Sequence, residues 1–174
     1  MSVHQIRRLG DPVLRERCRD VEDFDDALRT LAKEMTETMY AAPGVGLAAN
    51  QIGLALRLFV YDAGDGSGPG AVANPEIHDE DGEQNEDEGC LSISGVYRPT
   101  RRALRVRLVA QDLEGAPVSI EAEDLLARIF QHETDHLNGT LYVDRLSDAD
   151  RRSALAEYRD IELGAIPTRT TPSE

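Results

Sequence analysis

The amino-acid sequence predicts an α+β fold, with several mixed or antiparallel strands in the middle of the chain and helices flanking them. Segments with alternating apolar residues lie in the middle of the chain, whereas apolar residues at helical spacing occur near both ends. The 174 residues are enough for one domain with a substantial buried core. We therefore expect a single domain over residues 1–165, followed by a flexible C-terminal tail over residues 166–174.

The composition is ordinary for a soluble globular protein, with 40% hydrophobic and 30% charged residues. A formal net charge of -14 at pH 7 argues against a nucleic-acid-binding surface, because phosphate binding requires a basic stripe. The chain has no apolar run of about 18 residues, which a membrane span would need. Its N-terminus has no signal-peptide pattern. We therefore expect a cytoplasmic protein that binds neither membranes nor nucleic acid.

The first half of the chain predicts a helix, a strand and two irregular segments. Apolar side chains at helical spacing predict a helix over residues 25–42. These side chains are Leu28, Leu31, Met35 and Met39. Proline and glycine predict a loop beginning at residue 43, and alternation predicts a strand over residues 54–62. The acidic run HDEDGEQNEDEG, residues 78–89, does not match a calcium-binding loop and predicts a solvated loop.

The second half predicts a hairpin and two helices. Alternating residues over 102–112 and over 116–122, with a turn between them, predict two paired strands. The next segment predicts a helix over residues 123–139, with Gly139 as the residue after its C-cap. A second, polar-faced helix is predicted over residues 148–163.

Two of the four histidines lie one turn apart on the first of these helices. His132 and His136 continue the stripe begun by Leu125 and Ile129, and Glu133 continues the neighbouring apolar stripe. Three ionisable groups on a buried face are unfavourable unless something compensates them, and a metal ion would do so. The alternative interpretation is a pair of exposed histidines beside a solvated glutamate.

Two residues, Glu157 and Cys90, are candidates for the remaining metal ligand. Tyr142 stands where one class of zinc proteases, with the pattern HExxHxxGxxH, has its third histidine. Glu157 lies near the distance at which another class has a glutamate ligand. Cys90 would provide a thiolate, which is a strong ligand for divalent metals, although a lone cysteine is usually a small buried hydrophobe. The residues alone leave both Glu157 and Cys90 open.

Three segments, in this order, resemble the signature motifs of the bacterial peptide deformylases. They are GVGLAANQIG (44–53), EGCLS (88–92) and QHETDH (131–136). The segment GDPVLR near the N-terminus is also similar to the opening of that family, and the resemblance runs from about Leu9 to Leu146. It implies a fold with the metal-binding helix at its centre. It also implies an enzyme that removes the formyl group from the N-terminal formylmethionine of nascent polypeptides.

The resemblance implies one divalent metal ion bound by Cys90, His132 and His136. The usual metal in this family is Fe²⁺, and the same ligands accept Zn²⁺, Ni²⁺ or Co²⁺. Metal-bound hydroxide would attack the formyl carbon. Glu133 would act first as the general base and then as the general acid.

The resemblance also implies groups that bind the oxyanion and the substrate backbone. By similarity, the side-chain amide of Gln51 and the backbone N–H of Leu91 would donate to the oxyanion. Backbone groups near Val45, Gly46 and Gly89 would pair with the substrate peptide as an added strand. Main-chain recognition suits an enzyme that accepts many sequences after the methionine.

The methionine side chain would enter an apolar pocket beside the metal-binding helix. Leu125 and Ile129 are expected to line this pocket, since they share the stripe of His132. Arg128 stands where the family often has an apolar pocket residue, and we expect its side chain to point to solvent.

The expected partners are N-formylmethionyl nascent peptides, together with a transient contact with the ribosome. The C-terminal segment SDADRRSALAEYRDIELG mixes charges of both signs, so ribosome docking through it is not favoured. Two other functions are kept as alternatives. One is an HExxH metallopeptidase with Glu157 as its third ligand, and the other is a non-catalytic binding module stabilised by a metal.

Overall fold

The computed structural model describes residues 3–169 and confirms the predicted α+β class within this range. The helices are α1 (Asp26–Ala41), α2 (Asp124–Leu137) and α3 (Asp148–Glu162). The strands are β1 (Gly46–Ala48), β2 (Leu58–Tyr61), β3 (Gly70–Asp81), β4 (Asp87–Cys90), β5 (Ile93–Pro99), β6 (Arg105–Gln111) and β7 (Pro117–Glu123). Residues 170–174 of the predicted tail lie outside the described residues. None of the helices described between residues 3 and 169 has the length and apolar character needed to cross a bilayer.

Five strands form an antiparallel sheet in the order β1-β2-β3-β6-β7, with one helix against each face. Side chains alternate along β2, so Leu58 and Val60 pack in the cluster formed with α1, whereas Phe59 packs in the cluster formed with α2. The predicted helix near the N-terminus is confirmed, and its Met35 is fully buried against this sheet. The sheet therefore separates two apolar layers.

Helix α2 is buried along most of its length, which confirms its predicted central position. Every residue from Ala127 to Leu137 is buried. Gly139 follows the C-cap as predicted and has a φ of +76°. A Cβ at this position would lie 2.5 Å from the carbonyl oxygen of Arg15, so both the backbone conformation and the close approach require glycine.

Strands β4 and β5 form a separate hairpin that packs against α3. Helix α3 begins after Ser147, whose hydroxyl accepts a hydrogen bond from the backbone N–H of Asp150 at 3.1 Å. A third apolar cluster joins the hairpin and α3. Its buried members are Leu14, Ile93, Val96, Leu141, Tyr142, Val143, Ala154, Tyr158 and Ile161. This cluster fixes the hairpin, and with it the last residue of β4, beside the rest of the fold.

The prediction of a solvated loop over residues 78–89 is wrong at both ends. Strand β3 continues through Asp81, and β4 begins at Asp87. Asp81 forms an exposed ion pair with Arg105 of β6 at 2.7 Å, which suits a charged residue within a surface strand. Glu88 is only 5% exposed. Glu88 is therefore a buried carboxylate with cationic partners, which the acidic composition of the segment does not indicate.

We expect Phe130→Ala to lower the free energy of unfolding by about 3–5 kcal/mol, since its ring is fully buried in the core. The ring centroid lies 4.9 Å from that of Tyr61. Urea unfolding of the metal-free protein, followed by circular dichroism, measures this change. The control is Leu163→Ala, because Leu163 is 75% exposed. A loss for Phe130→Ala as small as that of the control would contradict the packing described.

Candidate active site

The three predicted metal ligands converge between β4 and α2. The Sγ atom of Cys90 lies 3.3 Å from Nε2 of His136. The same Nε2 lies 3.2 Å from Nε2 of His132, and all three ligand atoms are within 4.8 Å of one another. His132 and His136 are 8% and 1% exposed. The alternative interpretation of an exposed histidine pair is therefore wrong.

The donor set fits a divalent transition metal. A tetrahedral centre with ordinary metal–nitrogen and metal–sulfur bond lengths has ligand atoms about 3.3–3.6 Å apart, close to the separations observed here. Three protein ligands leave a position for water or substrate, as catalytic sites require. Burial lowers the pKa of His136 well below its usual value, which favours the neutral imidazole that coordinates metals.

Glu88 orients the other histidine. Its Oε1 lies 2.6 Å from Nδ1 of His132, which leaves Nε2 of that ring directed at the other two ligands. Burial alone would lower the pKa of His132, but hydrogen bonds with Cys90 and Glu88 raise it well above its usual value. A cation at Nε2 would compete with that proton. No role for Glu88 was predicted, although a residue two positions before Cys90 in a strand shares its face.

Two arginines compensate the buried charge of Glu88. Nη2 of Arg102 donates to Oε1 at 2.6 Å, and Nη1 of Arg128 donates to Oε2 at 2.6 Å. Burial alone would raise the pKa of Glu88, but hydrogen bonds from the histidine and from Arg102 hold it well below its usual value. Arg102 also pairs with Asp135 at 2.5 Å, and Asp135 pairs with Arg145 at 2.6 Å. A chain of alternating charges therefore runs from the ligands to the surface.

The expectation that Arg128 points to solvent is wrong. The residue is 5% exposed. Besides Glu88, its Nη1 contacts the carbonyl oxygen of Thr100 at 2.9 Å. The neighbouring carboxylate and carbonyl make the buried position possible, because a guanidinium without such partners would be strongly unfavourable there.

Glu133 lies beside the ligands with one carboxylate oxygen unpaired. It is 4% exposed, and among residues 3–169 its Oε2 has no hydrogen-bond partner. Burial raises the pKa of Glu133 to about 7, so this carboxyl group can accept and release a proton near neutral pH. A Cβ on Gly46 would overlap the carboxylate of Glu133. Strand β1 therefore reaches this position only because residue 46 is glycine.

The side-chain amide of Gln51 is turned toward Cys90. Its Oε1 accepts from the backbone N–H of Ala48 at 2.9 Å. Its Nε2 lies 3.2 Å from Oγ of Ser92 and 3.7 Å from Sγ of Cys90. The amide is thus held with its donor end toward the metal site. Leu91 follows Cys90 directly in the turn between β4 and β5, so its backbone also borders the site.

The residues predicted to bind substrate differ in exposure. Val45 and Leu125 are 47% and 45% exposed, so both are available to a ligand at the surface. Ile129 is buried at 3% exposure. A Cβ on Gly89 would lie 2.5 Å from the ring of Tyr97, so the approach of this ring requires glycine.

Neither alternative ligand position contributes to the site. Tyr142 is buried, and its hydroxyl donates to the carbonyl oxygen of Val96 at 2.9 Å. Glu157 belongs to α3 and pairs with Arg98 at 2.7 Å. Cys90 is therefore the third group that the fold brings to the histidines.

A Cys/His/His cluster with an adjacent buried glutamate, carried by an α+β fold, is typical of a metal-dependent hydrolase. The family model for polypeptide deformylases matches residues 3–152. The chain belongs to the polypeptide deformylase family, which confirms the resemblance seen in the motifs and the expected class of enzyme. The two alternatives, a metallopeptidase using Glu157 and a non-catalytic binding module, are not supported.

Relatives with similar sequences and solved structures agree with this assignment. The chain is 53% identical to a peptide deformylase of Clostridium botulinum over 83% of its own length and 97% of the relative. It is 47% identical to a peptide deformylase of Acidothermus cellulolyticus, over 99% and 95% of the two chains. The crystal structure of a peptide deformylase from Legionella pneumophila matches with a TM-score of 0.88 and 43% identity, covering 98% of this chain and all of the other.

Cys90→Ala should reduce the metal content of purified protein by at least about tenfold, because it removes one of the three ligand atoms. Elemental analysis after anaerobic purification measures this content. Glu157→Ala is the matched control and should retain the parent's metal, since Glu157 of α3 pairs with Arg98 of β5 and does not belong to the ligand cluster. Metal loss in the Glu157 variant, with retention in the Cys90 variant, would reverse the assignment.

Proposed function

We propose that this protein hydrolyses the formyl amide of N-formylmethionyl nascent peptides at a divalent cation bound by Cys90, His132 and His136. The observation that supports this proposal most directly is the convergence of one sulfur and two imidazole nitrogens beside the unpaired carboxylate oxygen of Glu133. Membership of the deformylase family supplies the reaction class.

The bound cation would supply positive charge that polarises the formyl carbonyl and acidifies a coordinated water. We propose Fe²⁺ as the physiological metal, with Zn²⁺, Ni²⁺ or Co²⁺ able to occupy the same ligands. A ligand set of one thiolate and two imidazoles accepts each of these ions.

Glu133 acts as the general base and then as the general acid. Burial raises the pKa of this carboxyl group to about 7, so its ionised form is present at neutral pH and can take a proton from the attacking water. The same carboxyl group then gives that proton to the leaving amine of methionine. The unpaired Oε2 provides the oxygen atom for this transfer.

Gln51 and Leu91 stabilise the oxyanion that develops on the formyl oxygen. The amide of Gln51 is pre-oriented by its contacts with Ala48 and Ser92, so no reorganisation is needed when charge develops. The backbone N–H of Leu91 is the second proposed donor, since it follows the metal-binding cysteine directly.

Backbone groups near Val45, Gly46 and Gly89 bind the substrate as an added strand, and Leu125 and Ile129 line the methionine pocket. Recognition through the main chain admits many residues after methionine. An apolar pocket suits a flexible thioether. We assign residues 1–165 to one catalytic domain.

The proposed substrate implies a cytoplasmic enzyme that meets nascent chains in transient contact with the ribosome. A net charge of -14 argues against direct binding to nucleic acid. Helix α3 carries both acidic and basic residues, so we do not assign the ribosome contact to it.

We expect Glu133→Gln to lower kcat for formyl-Met-Ala by about 10²–10⁴-fold, because the amide cannot transfer the proton. The metal content should stay near that of the parent, since Glu133 is not one of the ligands. Release of formate and elemental analysis on one sample measure both quantities. Deformylation at near the parent rate in a variant that retains its metal would overturn the proposed acid–base role.

Gln51→Leu should lower kcat by about 10²–10³-fold with little change in KM, because it removes a donor that acts on the transition state. Steady-state kinetics with formyl-Met-Ala test this expectation. Gln5→Leu, at an exposed glutamine, serves as the control and should leave the kinetics unchanged. A rise in KM alone would instead indicate that Gln51 binds the ground state.

A further inference from the structure

Strand β4 approaches α2 through two side chains. Glu88 and Cys90 are two residues apart in this strand, and both side chains contact histidines of α2, although the pairing with β5 shifts its register between them. Oε1 of Glu88 lies 2.6 Å from Nδ1 of His132, and Sγ of Cys90 lies 3.3 Å from Nε2 of His136. The strand that provides the thiolate is thus attached to the helix at two points, one helical turn apart.

Arg128 adds a third point of attachment, one turn before His132 on the same side of α2. Its Nη1 donates to Oε2 of Glu88 at 2.6 Å and to the carbonyl oxygen of Thr100 at 2.9 Å. The carboxylate of Glu88 therefore bridges two side chains of the helix. One carboxylate oxygen contacts the histidine, and the other contacts the arginine.

Arg128 makes the shorter of the two arginine contacts with Oε2 of Glu88, and Arg102 does not replace it. Without Arg128, Oε2 of Glu88 would keep only the longer contact with Nε of Arg102, at 3.1 Å. Arg102 is also shared with a second carboxylate, that of Asp135, at 2.5 Å. Among residues 3–169, the only carboxylate paired with Arg128 is that of Glu88. A buried guanidinium with a single ionic partner favours that contact strongly, because separation would leave the charge of the guanidinium uncompensated.

We propose that Arg128 is a positioning residue of the metal centre. By holding Oε2 of Glu88, it keeps Oε1 on His132 and keeps β4 at the distance from α2 that brings Cys90 to the two histidines. This inference rests on the proposed function and extends it to a residue that does not contact the cation.

The experiment compares Co²⁺-loaded parent protein with Arg128→Met, which keeps much of the side-chain volume but has no donor. Two quantities are measured on each protein. One is the rate of Co²⁺ release to excess EDTA, and the other is the visible absorption of the cobalt–thiolate centre. Arg101→Met is the matched control, because the side chain of Arg101 is 75% exposed and pairs at 3.6 Å with the exposed Glu83.

Arg128→Met should release Co²⁺ about 10- to 100-fold faster than the parent, and its cobalt–thiolate absorption should shift. Arg101→Met should match the parent in both measurements. A role confined to fold stability would lower the melting temperature of the metal-free protein without changing the release rate or the spectrum. Parent-like release and absorption in a folded Arg128→Met protein would overturn the inference.

Two more variants complete the test. Arg128→Lys restores a cation and should release Co²⁺ more slowly than Arg128→Met. Arg128→Gln replaces Arg128→Met if the latter does not fold. Its amide nitrogen stands at the chain position of Nε of Arg128, which donates to Oε1 of Gln84 at 3.3 Å, but the neutral amide cannot balance the charge of Glu88. Parent-like release from folded Arg128→Gln overturns the inference. Failure of the parent itself to bind Co²⁺ would overturn the proposed metal centre as well, which distinguishes the two failures.

Discussion

The hydrogen bond between Glu88 and His132 is the interaction on which the rest of the site depends. It places a carboxylate in the protein interior, and a buried carboxylate must be compensated. Arg102 and Arg128 provide that compensation, and Arg102 in turn requires Asp135. The series ends at Arg145, whose side chain is 45% exposed and reaches water. One contact to a metal ligand thus accounts for an ionic network that extends through the interior to the surface.

The fold provides the rigid surroundings that such a network requires. Helix α2 packs against the sheet and contacts β4 through Glu88 and Cys90, and its histidines and its glutamate are buried. The thiolate comes from a different element, and its position depends on the apolar cluster that joins the hairpin to α3. Catalytic geometry is therefore set by the packing of two separate layers, which limits the freedom of each ligand to move.

Much of the fold and the centre of the site could be predicted from the sequence. Helical spacing predicts that His132, His136 and Glu133 lie on a buried face. The preference for glycine directly after a helix C-cap predicts the position of Gly139. The third ligand could not be derived in this way, because Cys90 and Glu157 lie on elements whose positions depend on tertiary packing. For a related reason, the sequence predicts solvent exposure for Glu88 and Arg128, although both side chains are buried. Composition and side-chain charge suggest exposure, and only the proximity of opposite charges from distant segments makes burial of both favourable.

The contact between Gly46 and Glu133 has a consequence for inhibition of the enzyme. Residue 46 has no room for any side chain, since the first carbon would enter the space of the carboxylate. A compound that binds against the backbone at residue 46 would therefore contact a surface that a substitution at this residue cannot change without displacing the carboxylate of Glu133. Escape from such a compound would have to arise elsewhere, at more tolerant positions such as the exposed side chain of Val45.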